Sequence, residues 1–339
     1  MAKTALAVSM LVLGVAVAAQ SPLTRDQLKY RPGRPNFDDD AGEVLPVQGR
    51  VYLISTGKGS NIAAQVDDQG IILVDSGRLE TSDVVLARLK NLTDRPIRAI
   101  VNTTMEMDHI GGNEKLARAG TPLFAGSLGF TAAPQAQVFA HEKALARISV
   151  PTGLQSAVPQ ALWPTETFAG EKDKIFFNHE PIELLHAPGH TDGDVIVWFR
   201  SSDVIVTGDA YATTSYPRFD RSKGGSMQGV LDVLNRVVDI AVAEFNQQGG
   251  TRIIPGHGWI SNQSDVVEYR DMATIVRDRV RVAMANGKSL DQIKAAMVTL
   301  DYDGLYSNPD YTGEMFVEAI YNDLKATTPA PKNARPARR

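Results

Sequence analysis

The chain has 339 residues, 43% of them hydrophobic and 22% charged, which suffices for a substantial core and excludes the composition of a disordered protein. A formal net charge of -4 gives no electrostatic reason to expect nucleic acid or an anionic membrane surface as a partner, so a small-molecule substrate is expected. The sequence has no cysteine, so any metal site must use nitrogen and oxygen ligands. The oligomeric state stays open.

The N-terminus has the layout of a secretory signal peptide. Lys3 precedes an apolar stretch that ends in small residues and is shorter than the ~20 residues a membrane-spanning helix needs. We predict a signal peptide over residues 1–19, cut after Ala18 or Ala19, and therefore a periplasmic or secreted protein with no stable membrane anchor after cleavage. An uncleaved anchor is the alternative. A polar, proline-bearing lead-in is predicted over residues 20–43.

The predicted elements begin with three β-rich runs, at 51–55, 61–66 and 71–74, which indicate an antiparallel meander. Apolar residues at helical spacing then predict a helix over 81–92, followed by a strand over 97–101. Residues 123–180 are interpreted as a loop-rich insertion with one helix, over 138–148. Order returns in a second block, with strands predicted over 182–186, 195–200 and 204–207, a helix over 226–245 and a strand over 252–254.

The rest of the chain is predicted to be helical, with helices over 264–285 and 313–325 and a further helix whose capping box is Ser289 with Gln292. A proline-rich basic tail over 326–339 is predicted to be disordered. We assign a domain to residues 44–262 and helices packed on it to 263–325. Two β-rich blocks, each followed by helices, favour an α+β fold in which two sheets pack face to face with helices outside.

Four of these strands end in short polar turns that contain residues able to bind a metal. Glycine or proline near each candidate lets the backbone bend sharply, so that the side chains can point toward a common site. The candidates, in chain order, are Glu106, Asp108 and His109 before Gly111-Gly112, His190 after Pro188-Gly189, Asp209 after Gly208, and His257 after Pro255-Gly256.

This series resembles the metallo-β-lactamase superfamily, whose motifs are His-x-His-x-Asp-His, then Gly-His, Gly-Asp and Gly-His. The resemblance covers roughly residues 44–262 and implies a four-layer αββα sandwich. It also implies that Asp108, His109 and His257 bind one metal ion, here called the second metal position, and that Asp209 bridges to a first metal position that includes His190. The sequence departs from the motif at Thr104 and Glu106, where the family has histidines.

The two departures change the chemistry of the first metal position. A threonine hydroxyl is a poor ligand, whereas Glu106 is a sound oxygen ligand for zinc, manganese or iron. The remaining set, Glu106, His190 and Asp209, is weaker for zinc than three imidazoles and leans toward harder metals. We therefore predict one or two zinc ions, with iron or manganese as alternatives. The flavodiiron branch of the family, which binds iron, has the same glutamate. Three carboxylates in one cleft should also have raised pKa values unless cations neutralise them.

Other residues carry weaker expectations. Asp75 is interpreted either as a support for the metal ligands or as a turn cap, and Thr191 and Asp194 are expected to brace the His190 loop. His186 is expected to be a packed or surface residue, with support of the site as the alternative. His141 and His179 are interpreted as ordinary surface or helix residues. A loop after Asp209 could meet an anionic substrate group or simply be solvated; it contains Tyr216, Arg218 and Lys223.

The leading hypothesis is an exported metal-dependent hydrolase, in which a hydroxide generated at the metal attacks an ester, amide or lactam-type bond and Asp108 orients the nucleophile or relays its proton. One alternative is a non-catalytic metal- or ligand-binding pseudoenzyme of the same fold. Another is an iron-dependent redox protein related to the flavodiiron branch. The substrate cannot be inferred, because it depends on loops that carry no recognisable pattern.

Overall fold

The computed structural model describes residues 42–57, 59–124, 134–149, 158–245 and 249–327. The predicted signal peptide, nearly all of the lead-in and the basic tail lie outside these residues. Within the described ranges no helix combines the length and the apolar character needed to cross a bilayer.

Two β-sheets form the centre of the described fold. The first has seven strands in the spatial order β1 (Glu43–Gln48), β2 (Val51–Ser55), β3 (Ile62–Asp67), β4 (Gly70–Val74), β5 (Ile97–Val101), β6 (Gln137–His141) and β7 (Glu166–Phe168). The second has five in the order β12 (Arg252–Ile254), β11 (Val204–Val206), β10 (Val195–Phe199), β9 (Glu180–His186) and β8 (Lys172–Phe177). Strands β2 to β4 pair antiparallel, which confirms the meander, whereas β4 to β7 are parallel.

Helices surround the sheets. They are α1 (Ser82–Leu92), α2 (Met107–Ile110), α3 (Asn113–Arg118), α4 (Glu142–Ile148), α5 (Met227–Ile240), α6 (Gln263–Ala285), α7 (Leu290–Ala295), α8 (Leu300–Tyr306) and α9 (Gly313–Thr327). The predicted capping box of α7 is present, with Ser289 and Gln292 each accepting a hydrogen bond from the other's backbone N–H. Helix α5 ends at Ile240, five residues before the predicted end at Phe245.

Strand alternation assigns side chains to the layers. In β2, Leu53 belongs to the core between the two sheets, and the next residue, Ile54, packs against the helices that cover the first sheet. The second sheet behaves alike, since Val197 faces the inner core and Ile196 faces a cluster with α5, α6 and α9. Because successive side chains of a strand point to opposite faces, apolar residues at both positions require cover on both sides. The result is the α+β, four-layer αββα sandwich that the motif resemblance implied.

The interpretation of residues 123–180 as a loop-rich insertion was wrong for most of the described part. Residues 137–141 form β6 rather than the start of a helix, and the helix is confined to Glu142–Ile148. The segment also supplies β7 and β8. Val138 and its neighbours join the sheet because β5 and β7 offer hydrogen-bonding edges on either side, with Ile100 opposite Val138 and Glu166 opposite Phe139. These partners are distant in sequence, so local periodicity could not reveal them.

Candidate metal centre

The predicted ligands lie together at one edge of the sandwich, around a cavity of about 510 Å³. Two parallel strand pairs place them there, because the carboxyl ends of β4 and β5 lie side by side in one sheet and those of β11 and β12 in the other. The turn after β9 completes the edge. Side chains on the cavity wall include Glu106, Asp108, His190, Asp209 and His257. His109 lies beneath them with no exposed surface.

Glycines let the turns approach each other closely. A Cβ atom on Gly256 would lie 2.6 Å from Oδ1 of Asp209, and Gly208, at φ +55°, would place its Cβ 2.6 Å from Oγ1 of Thr103. Any other residue at either position would push the turn that carries His257 or Asp209 out of place. The close approach of these turns therefore explains why glycine precedes both candidate ligands.

Four side chains meet at the second metal position. Asp108, His109 and His257 each offer a ligand atom, and these atoms lie within 4.8 Å of one another. Nε2 of His257 is 3.3 Å from Oδ2 of Asp108 and 3.3 Å from Oδ1 of Asp209, and Nε2 of His109 is 3.1 Å from the same Asp209 oxygen. Two imidazole nitrogens and two carboxylates form a donor set that suits zinc, manganese or iron. The residues present therefore fit a divalent cation.

Asp75 holds His109 in orientation. Its Oδ2 atom lies 2.8 Å from Nδ1 of His109, and its two oxygens accept hydrogen bonds from the backbone N–H and the hydroxyl of Thr103. An imidazole that donates from Nδ1 to a carboxylate leaves Nε2 free to bind a metal. Of the two interpretations of Asp75, the contact with His109 supports the first, that of a support for the ligands. Thr103 was missed by the sequence analysis, since a threonine after a strand carries no local signal of this role.

The first metal position is built differently. Nδ1 of His190 lies 3.1 Å from the carbonyl oxygen of Arg218, and its Nε2 is buried without a hydrogen-bond partner, 3.7 Å from Oε1 of Glu106 and 3.8 Å from Oδ2 of Asp209. The hydroxyl of Thr104 is buried and also lacks a partner. Oε1 of Glu106 accepts a 2.6 Å hydrogen bond from Nζ of Lys223. This carboxylate is thus already paired with a cation of the chain itself.

The family profile of the metallo-beta-lactamase superfamily matches residues 55–257 of the chain. The chain belongs to this superfamily. A curated relative from Streptococcus pyogenes serotype M6, named "Probable metallo-hydrolase", is 26% identical over 207 residues, which are 59% of this chain and 79% of the relative.

Two solved structures share the superfamily fold. The inverting sec-alkylsulfatase Pisa1 from Pseudomonas sp. matches with a TM-score of 0.60 at 17% identity, over 86% of this chain and 51% of its own, so this chain spans about half the alkylsulfatase's length. A metallo-beta-lactamase from Pontibacter korlensis matches with a TM-score of 0.51 at 17% identity, over 69% of this chain and 99% of its own. At this identity the likeness shows the fold alone.

In this chain, basic side chains of the site offset the charges of its carboxylates. We expected the three clustered carboxylates to have raised pKa values in the absence of cations. Instead the pKa of Glu106 is lowered, first by the imidazole of His190, 3.7 Å away, and then, against the effect of burial, by Lys223. Burial raises the pKa of Asp209, but the nearby His109 and His257 outweigh it, and the net pKa lies well below the usual range. Positive groups of the chain therefore neutralise the carboxylates.

The same pairs raise the histidine pKa values. Burial disfavours the charged imidazolium, yet the nearby carboxylates of Glu106 and Asp209 raise the pKa of His190 to about 9. Hydrogen bonds with Asp108 and Asp209 likewise overcome burial and raise the pKa of His257 to about 9. Without metal, these Nε2 atoms carry protons at neutral pH, and a cation must displace those protons to bind.

This competition predicts opposite pH dependences for the metal-free and metal-loaded protein. The raised pKa values of His190 and His257 stabilise the metal-free fold below the ordinary value of 6.5, and this stabilisation is lost as the pH rises through about 9. We expect the melting temperature with chelator present to fall across that window. The increase in melting temperature produced by saturating zinc should become larger as the pH rises, because the imidazoles lose the protons that compete with zinc. Scanning fluorimetry across the pH range checks both trends, and a metal-free protein that gains stability toward pH 9 would contradict the assignment.

Some of the remaining sequence expectations agree with the structure, and one is wrong. Thr191 donates its backbone N–H to Asp194 at 2.6 Å, the contact expected of residues that brace the His190 loop. His179 is exposed beside Asp68, as interpreted. The interpretation of His141 was wrong, because it is buried at the end of β6 and stacks on His186 with ring centroids 3.8 Å apart.

The loop proposed to meet substrate also differs from expectation. Tyr216 borders the cavity but is fully buried, and its hydroxyl donates to Asp303 of α8 at 2.8 Å. Arg218 is exposed on the cavity wall, with its guanidinium 4.6 Å from the ring centre of Tyr311. The sequence analysis missed further wall residues, Arg78 and Asn308 to Asp310, which come from separate parts of the chain.

Proposed function

We propose that the chain is an exported metal-dependent hydrolase that cleaves an ester, amide or lactam-type bond of a small-molecule substrate. The observation that carries this proposal is the convergence of Asp108, His109, Asp209 and His257 at an open cavity, with His109 oriented by Asp75. Export rests on the signal-like N-terminus, and nothing in the fold favours nucleic acid as a partner.

The proposed roles follow from position. Asp108, His109, Asp209 and His257 hold a divalent cation, proposed to be zinc with iron or manganese as alternatives. Such a cation supplies a Lewis acid that polarises the scissile bond and lowers the pKa of water toward ~7. Membership of the superfamily and the relative named as a metallo-hydrolase support hydrolysis as the reaction class.

Asp108 is proposed to orient the nucleophile and accept its proton. Burial raises its pKa, but the hydrogen bond with His257 and the charge of His109 outweigh burial, so the carboxylate is ionised at neutral pH. Its backbone carbonyl accepts a 2.6 Å hydrogen bond from the Ser60 hydroxyl, which holds the residue in place at the start of α2. An ionised, fixed carboxylate beside the cation can receive a proton from an attacking water.

Elemental analysis joined to a hydrolysis screen tests the proposal. The protein would be loaded with zinc, manganese or iron and assayed against ester, amide, lactam and alkyl sulfate substrates, the last because a fold neighbour is an alkylsulfatase. We expect bound metal and turnover in the wild type, loss of both in His257→Ala, and neither loss in the control Asp301→Ala, whose carboxylate pairs with Arg279 on the surface. Metal without turnover of any substrate would favour the pseudoenzyme, and iron with redox activity alone would favour the flavodiiron alternative.

A further inference from the structure

We propose that the ammonium group of Lys223 takes the place of a cation at the first metal position, so that the cavity holds one divalent metal ion. This inference rests on the proposed function in one respect, that the second metal position holds a metal. It concerns the number of ions and the residue that limits it.

The ion pair between Lys223 and Glu106 lies inside the cavity wall. Nζ of Lys223 is 2.6 Å from Oε1 of Glu106 and 3.5 Å from Oδ2 of Asp220, and both partners of the main pair are partly shielded, with exposed side-chain fractions of 35% and 28%. The carboxylate oxygen that faces His190 is the oxygen that Lys223 contacts. A metal ion at this oxygen would have to displace the ammonium or lie beside a like charge.

The backbone holds Lys223 in this place. Its carbonyl oxygen accepts from the N–H of Asp192 at 3.0 Å, and the N–H of Asp220 donates to the carbonyl of His190 at 2.8 Å. The loop that carries the ammonium is therefore tied on both sides to the loop that carries His190. Gly224, at φ +79°, turns the chain directly after Lys223. The ion pair is thus built into the fold and does not depend on a freely moving surface side chain.

While Lys223 holds Glu106, the ligand atoms at the first metal position do not form a closed set. Thr104 offers only a hydroxyl, and Nε2 of His190 lies 3.7 Å from Glu106 and 3.8 Å from Asp209. Among the described residues, the groups whose ligand atoms all lie within 4.8 Å of one another include neither Glu106 nor His190. Zinc in proteins has at least three such ligands. The second metal position meets this requirement with Asp108, His109 and His257; the other such group among the described residues, Asp67, Asp68 and His179, lies outside the cavity lining.

Metal stoichiometry tests the inference without reference to activity. Native mass spectrometry and cobalt titration followed by absorption spectroscopy would be applied to the full chain, to Lys223→Met, and to the matched control Lys115→Met, whose ammonium pairs with Asp83 on the surface. We expect one cobalt ion per chain in the wild type and the control. Lys223→Met should bind a second, weaker ion, because Glu106 is then free, and the double variant with Glu106→Gln should return to one.

Glu106→Gln alone provides a measurement that does not depend on how Lys223→Met folds. We expect this variant to keep one ion, with a change in the metal dissociation constant of less than ~10-fold. A change of ~10-fold is the smallest loss of affinity typical of removing a group that supports a metal ligand. Two ions in the wild type, one ion in a folded Lys223→Met, or a larger loss in Glu106→Gln would overturn the inference. Two ions would leave the proposed function intact, one ion without hydrolysis would contradict only the proposed function, and no metal at all would contradict both.

Discussion

Asp209→Asn is expected to lower metal affinity by more than ~100-fold. That is the largest loss typical of mutating a residue that only supports a metal ligand. The Asp209 carboxylate lies 3.1 Å from Nε2 of His109, 3.3 Å from Nε2 of His257 and 3.8 Å from Nε2 of His190. The amide keeps the shape and removes the negative charge that both the cation and the imidazoles require. Competition with a chromophoric zinc chelator measures the affinity, and kcat/KM should fall in parallel once a substrate is found.

The matched control for this prediction is Asp271→Asn, on the exposed side of α6, where the carboxylate pairs only with Arg270. It should leave metal affinity unchanged, because a surface pair of this kind contributes little. The Asp209 variant should also bind zinc with less pH dependence, since the pKa of His257 is held high partly by Asp209. Retention of affinity within about tenfold of the wild type would show that Asp209 does not contact the metal.

Asp75→Asn is expected to reduce metal affinity by ~10–100-fold although Asp75 itself contacts no cation. Oδ1 of Asp75 accepts a hydrogen bond from the backbone N–H of Thr103, so this position must still be an oxygen in the asparagine variant. The amide nitrogen then takes the position of Oδ2, where it faces Nδ1 of His109. His109 must then accept at Nδ1 and carry its proton on Nε2, which blocks the ligand atom. The left-handed backbone at this position, φ +64°, is tolerated by asparagine, so the fold should be retained.

Nitrogen NMR of the imidazole rings measures this effect directly, because it reports which ring nitrogen of His109 is protonated. In the zinc-loaded wild type the proton should lie on Nδ1 alone, whereas in Asp75→Asn Nε2 should carry it. Asp301→Asn serves as the control, since its carboxylate is exposed and pairs with Arg279. An unchanged tautomer together with unchanged zinc affinity would contradict a positioning role for Asp75.

Local sequence pattern accounts for much of the fold. Runs such as Ile71–Val74 and Val204–Val206 are apolar at every position, and strands of this kind require cover on both faces. The segment around Val138 was misread because its strand character comes from hydrogen bonds to β5 and β7, not from its own periodicity. Tyr216 was misread for a similar reason, since its burial depends on Phe316, a residue far along the chain that stacks on it at 4.9 Å.

The order and type of the ligand residues, and the glycines beside them, could be identified from the sequence alone, because metal chemistry restricts which side chains serve and sharp turns restrict which residues flank them. Only the tertiary structure shows that Asp75 and Thr103 orient His109 and that Lys223 pairs with Glu106 across the cavity. A lysine in a polar loop carries no sign of its partner, because the contact depends on the meeting of two loops more than a hundred residues apart. The residues alone therefore predict a metal site, and the number of cations that it can hold depends on which charges the fold brings together.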